Sequence, residues 1–172
     1  AVLAQPDSAS KELAAHEVTP SENDVLVLEV TVERYRASQG VLAYQVGDQV
    51  LLPLRELANA LELAIQVDIP SRSASGWVID KDREFGLDLR SATVRFDDRV
   101  EGIPDASVYA GFDDIYVRAD VLERWLPVDF DVSIARMRVI VEAREAIPLL
   151  ARLDRDRRRG RIGANTILRP RY

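Results

Sequence analysis

One segment occurs twice in this sequence, and the duplication restricts the possible folds more than any other feature. Residues 50–68, VLLPLRELANALELAIQVD, return 65 positions later as residues 115–133, IYVRADVLERWLPVDFDVS. Eight apolar positions match without a gap: Val50, Leu52, Leu54, Leu57, Leu61, Leu63, Ile65 and Val67 correspond to Ile115, Val117, Ala119, Leu122, Leu126, Val128, Phe130 and Val132. This match predicts that the chain builds one small structural unit twice.

Each copy has the pattern of a strand, a short helix and a second strand. Pro53 ends the first strand and suits the first turn of a helix, where a missing N–H does no harm. Leu54, Leu57 and Leu61 then fall on one helix face, and apolar and polar residues alternate from Leu63 onward, as in a strand. Because a helix of about two turns is unstable alone, each copy must pack its leucines on a sheet.

The rest of the chain is predicted to be mainly strands. Residues 25–34, VLVLEVTVER, are rich in β-branched residues, and one face is apolar throughout while the other turns polar at Glu29. A second strand is expected at residues 40–46 after a turn near Gly40, and a third after the Gly-Asp turn at residues 47–48. Further short strands are expected at residues 76–81, 83–89, 92–96, 99–104 and 136–143. The predicted fold class is α+β: β-rich, with two β-α-β(β) repeats whose short helices pack on mostly antiparallel sheets.

The chain divides into three parts. Residues 1–24 are polar, and their AVLAQ start has the small residues of a signal-peptidase site, so we expect a flexible leader after a signal peptide. Residues 25–143 form the repeat-built α+β domain, with halves at 41–89 and 107–142. Residues 144–172 are expected to form a basic helical linker or tail, with a helix from about Pro148 that projects from the body.

The inventory of reactive side chains argues against an enzyme. The chain has no cysteine and a single histidine, His16, which leaves poor material for a zinc centre or a catalytic triad. It also has neither a GxGxxG nor a GxxxxGK[ST] phosphate loop. The acidic pairs Asp97–Asp98, Asp113–Asp114 and Asp129/Asp131 could bind calcium or serve as acid and base, but turns and an outward strand face also explain them. We expect no catalytic residue, no cofactor and no metal site.

Charge is distributed unevenly along the chain. Residues 1–143 hold 14 Lys and Arg against 26 Asp and Glu, a net charge of −12, whereas residues 144–172 hold 9 Arg against 3 acids, a net charge of +6. An acidic body argues against nucleic acid as a partner, because phosphate binding needs a clustered positive field. Arg157, Arg158 and Arg159 are candidate binding residues for an anion, although the alternative of a solvated helix end with Arg among Asp partners is favoured.

Aromatic residues provide the other candidate binding surface. Trp77, Tyr116 and Trp125, together with Tyr109 and Phe112, could stack on a sugar or a peptide if several of them were exposed together. Packing in the core or at its rim is the alternative, because Trp125 lies within a predicted helix and Trp77 at a predicted strand. The exposure of Trp77 and Trp125 distinguishes these two interpretations.

The duplicated motif resembles a known domain type. GDQVLLPLRELANALELAIQVD, followed by a short apolar strand, is similar to the repeat of stalk-type domains in bacterial surface proteins. These domains belong to the group named after the N-terminal domain of copper amine oxidases. The resemblance covers roughly residues 41–142 and implies a β-rich structural repeat with small packed helices and no copper site. Arg118 stands where the second copy would be expected to have proline.

A longer stretch resembles part of another envelope protein. Residues 24–63, DVLVLEVTVERYRASQGVLAYQVGDQVLLPLRELANALEL, look like the opening of the periplasmic N-terminal domain of usher-like outer-membrane proteins. This resemblance implies an exported, periplasmic protein of the cell envelope, with an outer-membrane barrel in the same chain after Tyr172. The implied partner is a secreted or envelope protein, which could bind by adding a strand to a sheet edge.

The residues and the resemblances together lead to two functional hypotheses. The first is a non-enzymatic periplasmic interaction or scaffold module that precedes an outer-membrane, usher-like component for secretion or surface assembly. The second is a carbohydrate- or peptidoglycan-binding domain of a bacterial envelope protein.

Overall fold

A computed structural model describes the backbone of residues 15–167 and the side chains of residues 15–162. The described residues form twelve strands and three α-helices, and a short 3-10 turn at Glu22–Asp24 precedes the first strand. The helices are α1 (Leu54–Ala60), α2 (Ala119–Trp125) and α3 (Pro148–Ile167). The strands are β1 (Val25–Val32), β2 (Tyr35–Val46), β3 (Gln49–Pro53), β4 (Ala64–Asp68), β5 (Ser73–Trp77), β6 (Glu84–Asp88), β7 (Thr93–Phe96), β8 (Arg99–Gly102), β9 (Val108–Ala110), β10 (Ile115–Arg118), β11 (Val128–Ser133) and β12 (Arg138–Ala143).

The strands form two mostly antiparallel sheets, and the protein is α+β and β-rich as predicted. The seven-stranded sheet has the order β11-β12-β1-β2-β3-β10-β9, and the five-stranded sheet is the meander β4-β5-β6-β7-β8. Only the pairing of β1 with β12 is parallel among the named strands. The first strand of the fold therefore lies beside the last one.

The duplicated unit is present in the structure at the predicted offset. Helices α1 and α2 begin and end 65 residues apart, and β3 and β4 correspond in the same way to β10 and β11. The likeness extends further than the sequence match, because the hairpin β4–β5 and the hairpin β11–β12 also share one register at this offset. The same is true of the hairpins β2–β3 and β9–β10.

The two units meet about a local pseudo-two-fold axis. Strands β3 and β10 pair antiparallel, and Leu52 lies opposite its own equivalent, Val117. Each helix contacts its own unit and also the central strand of the other unit. Helix α1 contacts β10, and helix α2 contacts β3. The two units therefore complete each other's packing.

One hydrophobic core joins the helices to both sheets. As predicted, the leucines of the helical stripes are buried, and Leu54, Leu57 and Leu122 have no exposed surface. They share the core with residues of both sheets, for example Val30 and Phe85. Four of the matched apolar positions lie nearer the rim and are only partly buried: Val67, Ala119, Phe130 and Val132.

Two predicted strand boundaries were wrong. Strand β2 begins at Tyr35, because the chain turns at Glu33, where φ is +52°, and Gly40 lies inside the strand. Strand β5 occupies Ser73–Trp77 rather than residues 76–81, because the turn comes earlier, at Arg72 with φ +54°. In both cases a non-glycine residue adopts the left-handed conformation. The prediction had instead placed a glycine turn in the first case and a longer loop in the second.

The N-terminal segment differs from the expected flexible leader where it is described. Glu17 forms a parallel bridge with Val108, the first residue of the edge strand β9, and Val18 N donates to the carbonyl oxygen of Val108 at 2.9 Å. Ser107 N donates to the carbonyl oxygen of His16 at 3.1 Å, and Glu17 pairs with Arg72. An exposed edge leaves backbone groups unpaired, and this segment supplies their partners. Residues 1–14 lie outside the described residues.

The C-terminal helix starts at Pro148 as predicted, but its first turns pack against the body. Ile147 and Leu149 are buried, and Leu150 and Leu153 lie against the core. Contrary to the prediction from the sequence, the helix therefore does not project from the body over its first turns. Burial of these apolar side chains contributes a larger attraction than exposed ion pairs do, of about 1.5 to 3 kcal/mol for each fully buried leucine or isoleucine.

Candidate functional site

The outer side of the seven-stranded sheet carries an exposed apolar surface. Alternation along β1 and β2 turns Leu28 and Val41 toward the core and their neighbours outward. Val27 lies directly opposite Leu42, and Val25 directly opposite Tyr44. The exposed fractions are 40% for Val25, 57% for Val27 and 40% for Leu42. We call these four residues, Val25, Val27, Leu42 and Tyr44, the apolar face.

Three tyrosines form a cluster that links the apolar face to the second unit across the pseudo-two-fold axis. The rings of Tyr44 and Tyr109, which are equivalent at the offset of 65, are 5.6 Å apart, and each contacts Tyr116, at 4.8 and 5.7 Å respectively. The Tyr116 hydroxyl donates to Asp113 Oδ1 at 3.1 Å, and burial raises the pKa of Tyr116. The cluster forms a rigid base beside the apolar face because it is packed and hydrogen-bonded.

The turn between β9 and β10 adds a further apolar group. Phe112 is 91% exposed, and its neighbour Gly111 approaches the Tyr116 ring so closely that a Cβ at that glycine would lie 2.9 Å from it. A phenylalanine held at the tip of a turn presents its ring to solvent without a partner from the core. Phe112 was among the aromatic residues singled out from the sequence.

The apolar face itself was missed by sequence reasoning, although a signal for it exists. Alternation in VLVLEVTV was used to assign the inner face, and the polar residues Glu29 and Thr31 were assigned to the outer face. Val25 and Val27 lie on that same outer face. The N-terminal half of β1 is therefore apolar on both faces, which is typical of a strand with a second partner.

The candidate aromatic residues do not share one exposed surface. Tyr116 and Trp125 are 1% and 3% exposed, and the Trp125 ring packs 6.5 Å from that of Phe85. Trp77 is 37% exposed. A stacking platform that contains all three is therefore excluded, because two of them are core residues.

Trp77 borders a concave, polar surface on the outer side of the five-stranded sheet. Small and polar residues line this cavity of about 490 Å³, which we call the polar furrow: Ser71, Ser73, Ser75, Gly86, Asp88, Arg90, Thr93, Arg95, with Ala74, Leu87 and Val100. Trp77 and Ser75 lie on the same side of β5, and Lys81 Nζ is 5.9 Å from the Trp77 ring. An aromatic ring beside hydroxyl groups suits hydrogen bonding and stacking with a polar ligand.

The carboxylate whose pKa is shifted most, that of Asp114, is bound by backbone N–H groups. Asp114 is 2% exposed and accepts from the backbone N–H groups of Arg55 at 2.8 Å, Glu56 at 3.2 Å and Ile115 at 2.7 Å. It thus caps helix α1 of the other unit. Burial raises the pKa of Asp114 to about 6, against the opposing effect of these hydrogen bonds. The raised pKa therefore follows from burial of the carboxyl group and not from its capping hydrogen bonds.

The arginines predicted as a binding site lie on α3 in different settings. Arg157 donates to the Tyr35 hydroxyl, and its guanidinium lies 5.9 Å from the Tyr35 ring. Arg158 and Arg159 are exposed. Beside Arg157, α3 and the β1–β2 turn enclose a cleft of about 390 Å³.

Acidic clusters and the histidine do not assemble into a metal site within residues 15–162. No group of three or more potential ligands is found there. His16 Nδ1 lies 3.4 Å from Asp105, and Asp129 pairs with Arg144 at 2.6 Å. Asp105 and Asp129 thus each lie beside a basic side chain.

Comparison with known proteins adds no relative. No protein-family model, no curated protein and no solved structure matches the chain. Among the described helices, none has the length and apolar character that crossing a membrane requires.

Proposed function

We propose that the protein is a non-enzymatic interaction module of the bacterial cell envelope. In this proposal it lies in the periplasm ahead of an outer-membrane, usher-like component, and it holds a secreted or envelope protein partner. The observation that carries the proposal is the apolar face, where Val25, Val27 and Leu42 are exposed side by side on paired strands. Contiguous exposed apolar residues on a folded domain are typical of an interface with another protein.

The surroundings of the apolar face favour a protein partner. The sheet beneath it is tied together through the pseudo-two-fold pairing, and the tyrosine cluster fills the adjoining surface. A partner that docks there meets a surface that is already ordered, so little conformational entropy is lost on binding. Tyr44 and Tyr109 are only partly buried, and partly exposed tyrosines are enriched in interfaces because they combine apolar area with a hydroxyl.

Strand addition at an edge is a second route for the same partner. At the β9 edge, the first residue, Val108, is already paired with the segment around Glu17 and Val18. At the other edge of this sheet, the Glu123 carboxylate accepts the N–H of Phe130 at 2.7 Å. On this sheet a partner strand would meet one of these groups, whereas the apolar face is open, so we propose that the partner binds the apolar face.

Site-specific photocrosslinking in exported protein tests the proposal. A photoreactive phenylalanine analogue at Val27 should give a discrete adduct with an exported protein. The same analogue at Val100, which is 60% exposed on the other sheet, should not give it. The purified partner should then bind the wild-type chain, and the Val27→Asp/Leu42→Asp variant should bind at least about tenfold more weakly.

The melting temperature is the control for this experiment. Val27 and Leu42 are exposed, so the double variant should unfold within a few degrees of wild type. An adduct that is equally abundant at both positions, or a partner whose affinity the double variant leaves unchanged, contradicts the proposal.

The polar furrow favours carbohydrate binding as the second candidate function. Its hydroxyl groups and the exposed Trp77 ring match the groups that a glycan or peptidoglycan strand offers. Trp77→Ala should then abolish retention on insoluble peptidoglycan, while Val27→Asp leaves it unchanged. The opposite pattern, or no retention of wild type, excludes this alternative.

A further inference from the structure

Helix α3 presents two faces of different character. Leu149, Leu150 and Leu153 lie on one face and pack against the core. Arg152 on the flank donates to Glu62 at 2.8 Å and so ties the helix to the end of α1. The orientation of the helix about its own axis is therefore fixed by contacts in its first two turns.

The opposite face of the helix is basic. Arg155, Arg158, Arg159 and Ile162 follow the spacing i, i+3, i+4 and i+7, so they share one helix face. With roughly 100° per residue, this face lies about 170° around the helix from Leu153. We call these four residues the basic helix face. It points away from the body because the leucine face is held against it.

The arginines of this face have no competing acidic partner in the part of the chain that the structure describes. Arg155, Arg158 and Arg159 are exposed, and none of the ion pairs among residues 15–162 includes them. Ile162 is 68% exposed between them and the end of the helix. Three guanidinium groups and one aliphatic side chain thus project on the same side.

We propose that the basic helix face binds a surface of anionic phospholipid headgroups. Guanidinium groups bind phosphate oxygens in pairs of hydrogen bonds. An exposed isoleucine can enter the boundary between the headgroups and the acyl chains. Binding through this face also directs the acidic body, with its net charge of −12 over residues 1–143, away from the negative surface.

The chemistry of the face favours a lipid surface over nucleic acid. A nucleic acid would be contacted through phosphates alone, and an exposed isoleucine contributes nothing to such contacts. The face also spans only about two helical turns, which is short for a site that follows a phosphate backbone. This inference does not depend on the apolar face or on a protein partner.

Vesicle co-sedimentation of the full chain tests this inference. Wild-type protein should bind vesicles of phosphatidylcholine that contain phosphatidylglycerol and should not bind pure phosphatidylcholine. Binding should weaken as salt rises to roughly 0.15 M, because counterions screen the arginines. The Arg155→Gln/Arg158→Gln/Arg159→Gln variant should bind at least about tenfold more weakly.

A matched variant controls for net charge. Arg36→Gln/Arg99→Gln/Arg136→Gln removes three exposed arginines from the body and should leave vesicle binding within about twofold of wild type. Ile162→Ser should weaken binding without changing its salt dependence. The Val27→Asp/Leu42→Asp variant should bind vesicles normally, so failure of the proposed function and failure of this inference are distinguishable.

Three results would overturn the inference. The first is that wild type does not bind the anionic vesicles. The second is that both triple variants lose binding equally, which would show a general charge effect. The third is that the chain binds a DNA duplex more tightly than vesicles of equal phosphate concentration, which would identify nucleic acid as the ligand.

Discussion

At the scale of single residues, Gly76 marks one place where the two units differ. Its φ is +150°, and a Cβ added there would lie 1.8 Å from the carbonyl oxygen of Ala64. Its equivalent in the second unit is Val141, a buried residue of β12. The backbones of β4 and β5 therefore approach each other closely at Gly76. Only glycine permits this approach, because it has no Cβ.

Substitution of this glycine should be costly. We expect Gly76→Ala to lower the free energy of unfolding by more than about 2 kcal/mol, because backbone atoms must move to admit the new methyl group. Gly86→Ala is the matched control in the adjacent strand, since its nearest atom would be at the ordinary distance of 3.7 Å. Urea unfolding of both variants measures the difference, and equal effects would show that the close approach is not a constraint.

Asp114 predicts a pH dependence of stability. Its folded-state pKa of about 6 lies above its ordinary value of 3.8, so the folded chain binds this proton more tightly than the unfolded chain. The stability contributed by its protonation is complete below about pH 3.8 and is lost as pH rises through about 6. Asp114→Asn should remove this dependence, which amounts to about 2 to 3 kcal/mol.

Unfolding in urea at a series of pH values between about 4 and 7 checks this dependence. Asp131→Asn, an exposed carboxylate of β11, should leave the pH profile of wild type intact. A profile that Asp114→Asn does not change would mean that the cap holds an ionised carboxylate throughout this range.

At the scale of elements, helix α3 is held by its apolar face. Leu149 is 7% exposed, and we expect Leu149→Ala to lower the free energy of unfolding by about 2 kcal/mol or more. Arg152→Gln should have little effect, because its ion pair with Glu62 is open to solvent. Thermal unfolding compares the two variants, and a larger effect of Arg152→Gln would mean that ion pairing holds the helix.

Proteolysis distinguishes the two halves of the same helix. Trypsin should cut first after the exposed arginines 155 to 161 and should spare Arg152, where the helix is docked. Leu149→Ala should make Arg152 susceptible as well. Cleavage of wild type at Arg152 as early as at Arg158 would show that the helix does not remain docked in solution.

At the scale of the whole molecule, the units cannot be separated without loss of their packing. Each helix contacts the central strand of the other unit, and β12 pairs with β1 across almost the whole chain. The equivalent residues Leu61 and Leu126 are both buried in the one core. Damage to either unit should therefore destabilise both.

Two measurements check this coupling. Calorimetry of the full chain should show one cooperative transition, whereas the fragments 15–103 and 104–167 should each show none. Leu61→Ala and Leu126→Ala should each lower the free energy of unfolding by about 2 to 5 kcal/mol and should keep a single transition. Two separate transitions in either variant would mean that the units are independent domains.

The local pattern alone determined the class of the fold and its duplication. The apolar spacing in α1 and α2 and the alternation in β1 depend on residues a few positions apart, so they can be read from the sequence. The turns at Glu33 and Arg72 were not predicted, because non-glycine residues adopt a positive φ there and carry no glycine signal in the sequence. The prediction that a protein partner binds came from resemblance, and it stays a prediction.

Only the tertiary structure decided which surfaces face solvent and where equivalent segments go. The hairpin β4–β5 begins a second sheet, whereas its equivalent β11–β12 joins β1, although both have the same register. In the same way, tertiary contacts decide that Trp125 is buried and that Val27 is exposed. A residue's partners across the fold lie many positions away in the chain, and burial depends on those partners. Sequence spacing therefore determines which residues share a face, and packing determines which face is covered.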